Sequence, residues 1–186
     1  MKRIKILAIV GSLRKDSYNR QLALMAHDIV GDRADFSILE YSDIPMMNQD
    51  IEFPAPESIK RIRDEVLSAD ALWLFTPEYN HYFPGVLKNL LDWLSRPVGE
   101  NQPPLLANKP TAISGITPGM SGTAIAQDHL VTLISLLNMD VMNMPRLTIP
   151  NAMKQLDDDG KLILQKSKGY LEKQTDAFID YVQSRV

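Results

Sequence analysis

The sequence predicts a doubly wound α/β fold, in which a five-stranded parallel sheet carries helices on both faces. Apolar segments of strand length alternate along the chain with segments whose apolar residues recur at helical spacing, which is the pattern of such folds. No internal repeat or low-complexity linker interrupts this alternation. The length of 186 residues corresponds to about one domain. We therefore expect residues 1–186 to form a single domain.

Five segments have the composition and length of strands. Arg3–Val10 and Ala69–Thr76 are rich in apolar residues, which is typical of parallel strands buried on both faces. The last strand is expected to be broken, because Pro145 lies inside it and has no N–H for the sheet ladder. The three remaining predicted strands are Ala34–Leu39, Pro110–Ile116 and Asp140–Ile149.

Five further segments place apolar residues three and four positions apart, so that these residues share one helix face. One of these segments opens with Pro84, and proline is favoured in the first turn of a helix. The predicted helices are Ser17–Val30, Pro56–Ser68, Pro84–Leu94, Gly122–Leu137 and Asp159–Val186.

Strands and helices thus alternate along the whole chain. Right-handed crossovers leave few topologies for such a chain, and five strands favour the flavodoxin-like order 2-1-3-4-5 over a six-stranded dinucleotide-binding fold. In that order a ligand lies at the carboxyl ends of strands 1 and 3. The loops after Val10 and after Phe75 are therefore expected to carry the chemistry.

Composition excludes several classes of function. Lysine and arginine number 20, aspartate and glutamate 23, and the net charge of −3 does not indicate a nucleic-acid partner. The absence of cysteine excludes disulfides, thiolate nucleophiles and iron–sulfur clusters. His27, His81 and His129 are scattered without the spacing of metal ligands, so no metal site is predicted.

The apolar runs of the chain are short. The longest have five residues each, among them Ile6–Val10 and Ala71–Phe75. A signal peptide needs an apolar region of about 7–15 residues, and a membrane span needs about 18. We therefore expect a cytoplasmic protein without a membrane partner.

The loop after the first strand, residues 11–20, is rich in hydroxyl, amide and cationic side chains. Ser12, Ser17, Asn19 and Arg14 can all donate hydrogen bonds to an anion, and the N-terminus of the following helix also favours negative charge. The segment matches neither the P-loop nor the G-x-G-x-x-G pattern. The alternative is a plain loop in which Ser17 only caps the helix.

The loop after the third strand, residues 76–85, combines aromatic and turn-forming residues. Tyr79, Tyr82 and Phe83 are expected to clasp a flat ring, although a turn built from Pro, Asn and Gly would explain the segment equally. Glu78 has no identifiable acid–base partner, and His81 is expected at the rim. A flat ring together with a phosphate, on this architecture, indicates FMN.

The sequence resembles the NADPH-dependent FMN reductase family, which includes quinone, azo-dye and chromate reductases. The resemblance is carried by GSLRKDSYNR at 11–20, PEYN at 77–80, PGVLKNLLDWL at 84–94, and ISGITPG at 113–119 with Gly122, and it extends to about Asn151. Threonine at 123 departs from the Gly-Gly pair that is frequent in the family.

The resemblance implies a set of cofactor-binding residues. The residues expected to hold the FMN phosphate are Ser12, Arg14, Ser17 and Asn19, those expected to line the isoalloxazine ring are Pro77, Glu78, Tyr79 and Asn80, and those expected near its other side are Thr117 and Gly119.

The resemblance also implies an activity. Hydride passes from NAD(P)H to FMN, and a quinone, azo compound, chromate or flavin then receives two electrons at the same site. No side chain is expected to act as acid or base, and Arg14 and Arg20 are hypothesised to favour NADPH over NADH. The rival functions are a flavodoxin-type electron carrier, a flavin-binding sensor, and a phosphorylation receiver domain, which lacks its carboxylates here.

Members of the family form dimers. The resemblance implies a homodimer packed through the helices after Pro84 and Gly122, and it leaves a tetramer open. The interface candidates are Leu87, Leu91, Ile125 and Leu133, although burial in the core would explain many of them equally. The residues expected at the acceptor rim are His81, Tyr82, Phe83 and the segment Glu100–Leu106 from the second subunit.

Overall fold

A computed structural model describes residues 3–99 and 102–186. Its strands are β1 Lys5–Val10, β2 Asp35–Ile38, β3 Ala71–Phe75, β4 Pro110–Ile116, β5 Asp140–Val141 and β6 Leu147–Ile149. Its helices are α1 Tyr18–Val30, α2 Glu57–Ser68, α3 Gly85–Leu94, α4 Ala124–Leu136 and α5 Lys168–Gln183.

The strands form one parallel sheet in the order β2-β1-β3-β4-β5, with β6 also paired to β4. The flavodoxin-like order 2-1-3-4-5 is thereby confirmed. The last predicted strand is two strands: β5 pairs with Pro110 and Thr111, whereas β6 pairs with residues 114–116. Pro145 lies between the two pieces and cannot donate to the ladder.

The apolar strands are explained by hydrophobic clusters on both faces of the sheet. Ile6, Ala8 and Val10 point into the cluster that contains α1 and α5, while Leu7 and Ile9 point into the cluster of α2, α3 and α4. Successive side chains of a strand face opposite sides, so a central parallel strand is apolar at every position.

The structure corrects the start of the last helix, which was expected at Asp159 and begins at Lys168. Asp157 Oδ1 accepts the backbone N–H groups of Asp159 and Lys161 at 3.0 and 2.8 Å. Gly160, which lies between these two residues, has a positive φ of +76°. The aspartate thus competes with the helix for these N–H groups and stabilises a turn.

Two of the predicted interface residues are also corrected. Leu87 and Leu91 are fully buried between α3 and the sheet, so they cannot form a subunit interface. Ile125 is partly exposed and Leu133 is partly buried, so these two keep accessible surface on α4.

Within the described residues, no helix combines the length and apolar character needed to cross a membrane.

Candidate functional site

A pocket of about 410 Å³ opens where the carboxyl ends of β1, β3 and β4 meet. Its size is that of ordinary ligand sites. We call it the carboxyl-end pocket. Eight of the ten predicted site residues line it, namely Ser12, Arg14, Ser17, Asn19, Pro77, Glu78, Tyr79 and Thr117. The remaining lining residues are Tyr18, Ile116 and Pro118, whereas Asn80 and Gly119 lie outside.

The start of α1 provides an anion site in this pocket. Ser17 is the N-cap, and its Oγ accepts the Arg20 N–H at 3.4 Å. The first turn of α1 contains no acidic residue, and the N–H groups of Tyr18 and Asn19 have no acceptor within the helix. Arg14 lies over the ring of Tyr18, with its Cζ 4.9 Å from the ring centroid. Cation, hydroxyl and N–H groups therefore converge as a phosphate requires.

The structure corrects the role of the Asn19 side chain, which was predicted to donate to the phosphate. The side chain is only 2% exposed, and it bonds to the end of β4. Its Nδ2 donates to the Ile116 carbonyl at 2.9 Å, and its Oδ1 accepts the Ile116 N–H at 3.1 Å. Asn19 therefore ties α1 to β4, and its backbone N–H is the group that it offers to an anion.

The carboxylate of Glu78 has hydrogen-bond partners that could not be identified from the sequence. Its carboxylate accepts the Ser121 hydroxyl at 2.5 Å and the Ala126 N–H at 3.0 Å, and it lies 3.2 Å from His81 Nδ1. Burial disfavours the charged form, but these hydrogen bonds outweigh it and hold the pKa of the Glu78 carboxyl below its usual value. Glu78 is therefore ionised at neutral pH.

Residues 79–82 form a tight turn beyond Glu78. The backbones of Tyr79 and Tyr82 exchange hydrogen bonds of 2.9 and 3.0 Å, and Asn80 and His81 between them adopt φ of 52° and 60°. Asparagine tolerates this left-handed backbone better than most residues do. The exposed Tyr79 lines the pocket, whereas Asn80 is not among its lining residues.

Part of the predicted rim belongs to the core. Phe83 is buried, and the half-exposed ring of Tyr82 packs on it and on His129, with centroids 4.5 Å apart in both pairs. In the segment Glu100–Leu106, residues 100 and 101 lie outside the described residues, and Leu105 and Leu106 are buried. Phe83, Leu105 and Leu106 are thus corrected from rim to core.

The loop after β4 is held from behind by β6. The Thr117 N–H donates to the Ile149 carbonyl at 3.1 Å, and the Thr117 carbonyl accepts the Ala152 N–H at 3.0 Å. The Gly119 carbonyl accepts the Asn151 N–H at 3.1 Å, so this glycine supports the loop without lining the pocket. The short β6 thereby fixes the wall that contains Thr117.

Hydrogen bonds join the three loops in pairs. The Gly11 N–H donates to the Phe75 carbonyl at 2.8 Å, Asn19 links α1 to β4, and Glu78 links the β3 loop to α4. These bonds hold the walls of the pocket in place relative to one another. A phosphate fits the cationic, N–H-rich end at α1, and a flat ring fits the end between Tyr79 and Thr117. The residues present thus suit FMN.

Sequence reasoning missed several residues of this site. Tyr18 could have been found, because it is the first residue of the helix that follows the predicted phosphate loop. Ser121 and Ala126 carry no local signal, since their role depends on Glu78, which is 43 and 48 residues away along the chain.

Comparison with known proteins agrees with this geometry. The sequence model of the family described as NADPH-dependent FMN reductase matches residues 4–154. A 2-hydroxy-1,4-benzoquinone reductase of Burkholderia sp. is 36% identical over 182 residues, covering 98% of each chain. An NAD(P)H-dependent FMN reductase of Pseudomonas aeruginosa is 38% identical over 175 residues, covering 94% of this chain and 92% of that protein.

A solved structure extends the agreement to the fold. The flavoenzyme NAD(P)H:(acceptor) oxidoreductase FerB from Paracoccus denitrificans superposes with a TM-score of 0.87 at 34% identity, and 98% of each chain is covered. The family model covers every residue that lines the carboxyl-end pocket. The chain belongs to the NADPH-dependent FMN reductases, oxidoreductases that use FMN and a nicotinamide coenzyme.

Proposed function

We propose that this protein reduces quinones and related acceptors, namely azo compounds, chromate and flavins, by two electrons at the expense of NAD(P)H. The observation that carries the proposal is the carboxyl-end pocket, in which the anion site at α1 adjoins an aromatic wall at Tyr79. Relatives named for quinone and FMN reduction support the choice of acceptors.

Different residues are proposed to bind the phosphate and the ring of FMN. We assign the phosphate to Ser12, Arg14, Ser17 and the N–H groups of Tyr18 and Asn19, and the ring to the backbone of Pro77, Glu78 and Tyr79 with Thr117 on its other side. FMN supplies the redox chemistry, the transfer of hydride from a nicotinamide coenzyme to an acceptor. The protein binds and orients FMN and its two substrates, and no side chain is assigned as acid or base.

We further propose that coenzyme and acceptor bind alternately at one site in a single domain of residues 1–186, and that the protein is a cytoplasmic homodimer. The chain carries no G-x-G-x-x-G pattern for a separate nicotinamide site. Ile125 and Leu133 give α4 apolar surface for a subunit contact.

Visible spectroscopy tests the central proposal. We expect the purified protein to bind FMN, and the flavin bands to bleach within seconds when NADPH is added without oxygen. Reoxidation by a benzoquinone should restore the bands. Bound flavin that NADPH does not bleach would favour a flavodoxin-type carrier or a sensor instead. No FMN binding at all would refute the assignment of the pocket.

A second cavity bears on the choice of coenzyme. It has a volume of about 270 Å³, shares Ser12 and Arg14 with the carboxyl-end pocket, and adds Lys15 and Arg20. Arg20 Nη2 is held 2.5 Å from Glu40 Oε1, so the only carboxylate among the lining residues is already paired. Three cations against one carboxylate leave the lining of the cavity with a net positive charge, which favours binding of a second phosphate near Lys15 and Arg20.

Replacing Arg20 by alanine should therefore reduce the preference for NADPH over NADH. A lost charge-assisted hydrogen bond is worth about 1.5–3 kcal/mol, so we expect the ratio of kcat/KM values to fall roughly ten- to hundredfold. Arg33→Ala, which removes an exposed ion pair with Asp176 elsewhere on the surface, is the control. An Arg20 variant whose preference is unchanged would exclude this cavity as the determinant.

A further inference from the structure

Helix α4 begins without an N-cap of its own. Thr123, at the cap position, has a left-handed backbone with φ of 75°, and its side chain makes no capping bond. Its buried hydroxyl instead accepts Gln127 Nε2 at 3.0 Å. The N–H groups at the start of a helix need acceptors, so α4 requires one from elsewhere.

Glu78 supplies that acceptor from another loop. Its Oε2 accepts the N–H of Ala126, in the third position of α4, at 3.0 Å. Its Oε1 accepts the hydroxyl of Ser121, in the loop that leads into α4, at 2.5 Å. A carboxylate is the preferred partner of a helix N-terminus, and the Glu78 side chain is only 5% exposed. The bond is therefore shielded from water and its geometry is fixed.

This cap joins the two walls of the carboxyl-end pocket. Pro77 and Tyr79, on either side of Glu78, form one wall, and Thr117 and Pro118 form the other. The last backbone hydrogen bond between β3 and β4, from the Thr76 N–H to the Ser114 carbonyl at 2.9 Å, lies below both walls. Above it, the carboxylate of Glu78 holds the loops at a set separation.

We propose that Glu78 is a positioning residue for the flavin: by capping α4 from the β3 loop it fixes the spacing of the walls on which the ring is seated. This role differs from ring contact through its backbone and from general-base catalysis. It rests on the proposed function, because it presumes that FMN binds between these walls. Both carboxylate oxygens accept hydrogen bonds from the protein, one from Ser121 and one from Ala126, so we assign the carboxylate to support of the loops.

Glu78→Gln tests the role with little change of shape. A neutral amide can still accept the Ala126 N–H with its oxygen, but its NH₂ group can only donate to Ser121 Oγ, so the negative charge at the start of α4 and both charge-assisted bonds are lost. We expect the dissociation constant of FMN to rise at least tenfold and the reduction potential of the bound flavin to shift. The readouts are flavin fluorescence quenching and equilibrium redox titration of the full-length protein.

Glu52→Gln is the matched control. Glu52 is a carboxylate of similar burial, with its side chain 4% exposed, but its partners are Nε and Nη2 of Arg96, at 2.7 and 3.1 Å, and it does not line the pocket. This variant should lose thermal stability while its FMN affinity stays within about twofold of the parent. Equal losses of affinity in the two variants would overturn the inference, because the effect would then be general destabilisation.

Ser121→Ala keeps the inference testable if Glu78→Gln does not fold. It removes one donor and leaves the Ala126 N–H in place, so a weakening smaller than that of Glu78→Gln, about threefold, is expected. Parent affinity and parent potential in Ser121→Ala, or in a folded Glu78→Gln, would refute the positioning role alone.

Failure of the parent protein itself to bind FMN would refute both this role and the proposed function. A parent that binds FMN but is not bleached by NADPH would refute only the proposed function.

Discussion

Replacing Gly115 by alanine is expected to lower the free energy of unfolding by about 3 kcal/mol and to weaken FMN binding more than tenfold. Gly115 lies in β4, where an added Cβ would stand 2.2 Å from Thr123 Oγ1 and 2.4 Å from the Thr76 carbonyl oxygen. The second atom belongs to the backbone, so no rotamer change relieves the clash. Overpacking of this kind costs about 1–3 kcal/mol and sometimes more.

The affinity is expected to fall because both obstructing residues are next to elements that build the site. Thr76 precedes the wall of Pro77 and Glu78, and Thr123 precedes α4, which Glu78 caps. Any shift that makes room for the methyl group must separate these two elements. Denaturant unfolding and an FMN titration on the same samples measure the two effects.

Gly169→Ala is the control for the loss of a glycine as such. Gly169 lies in α5, and an added Cβ would meet no atom within 4 Å. Alanine in a helix is favoured over glycine by up to about 1 kcal/mol, so this variant should be slightly more stable and bind FMN normally. A Gly115 variant that behaved like it would contradict the packing argument.

The parts of the molecule that the sequence predicts correctly are those fixed by neighbouring residues. β1 and β3 follow from local apolar runs, and the loop of Ser12 and Arg14 follows from its position between a strand and a helix. The same local logic fails at residues 157–161, where side-chain bonds to the backbone replace the expected helix.

The parts that the sequence leaves open depend on distant partners. Nothing local shows that the amide of Asn19 faces β4, because the partner is Ile116, 97 residues away. Thr123 is a stronger case, since a β-branched residue at positive φ is disfavoured and is held there by its surroundings. In this conformation Thr123 makes no capping bond, so α4 takes its cap from Glu78. Neither feature can be predicted from the local sequence.

Arg14→Ala is expected to weaken FMN binding roughly ten- to hundredfold. The arginine lines the pocket and its guanidinium lies over the ring of Tyr18, the first residue of α1, where we propose that the phosphate binds. Hydrogen bonds to charged groups contribute about 1.5–3 kcal/mol, and each 1.4 kcal/mol is a factor of ten in affinity. Fluorescence titration of the folded variant measures the change.

Riboflavin, which has the same ring and no phosphate, is the matched ligand for this variant. If Arg14 acts on the phosphate, its removal weakens FMN and leaves riboflavin affinity unchanged, so the difference between the two ligands shrinks. Arg14→Lys should recover only part of the loss, because an ammonium keeps the charge but offers neither the planar fork nor the same stacking on Tyr18. If FMN and riboflavin lost affinity equally, Arg14 would instead act by holding Tyr18 and the shape of the pocket, and the anion site would consist of the α1 N–H groups and the serine hydroxyls alone.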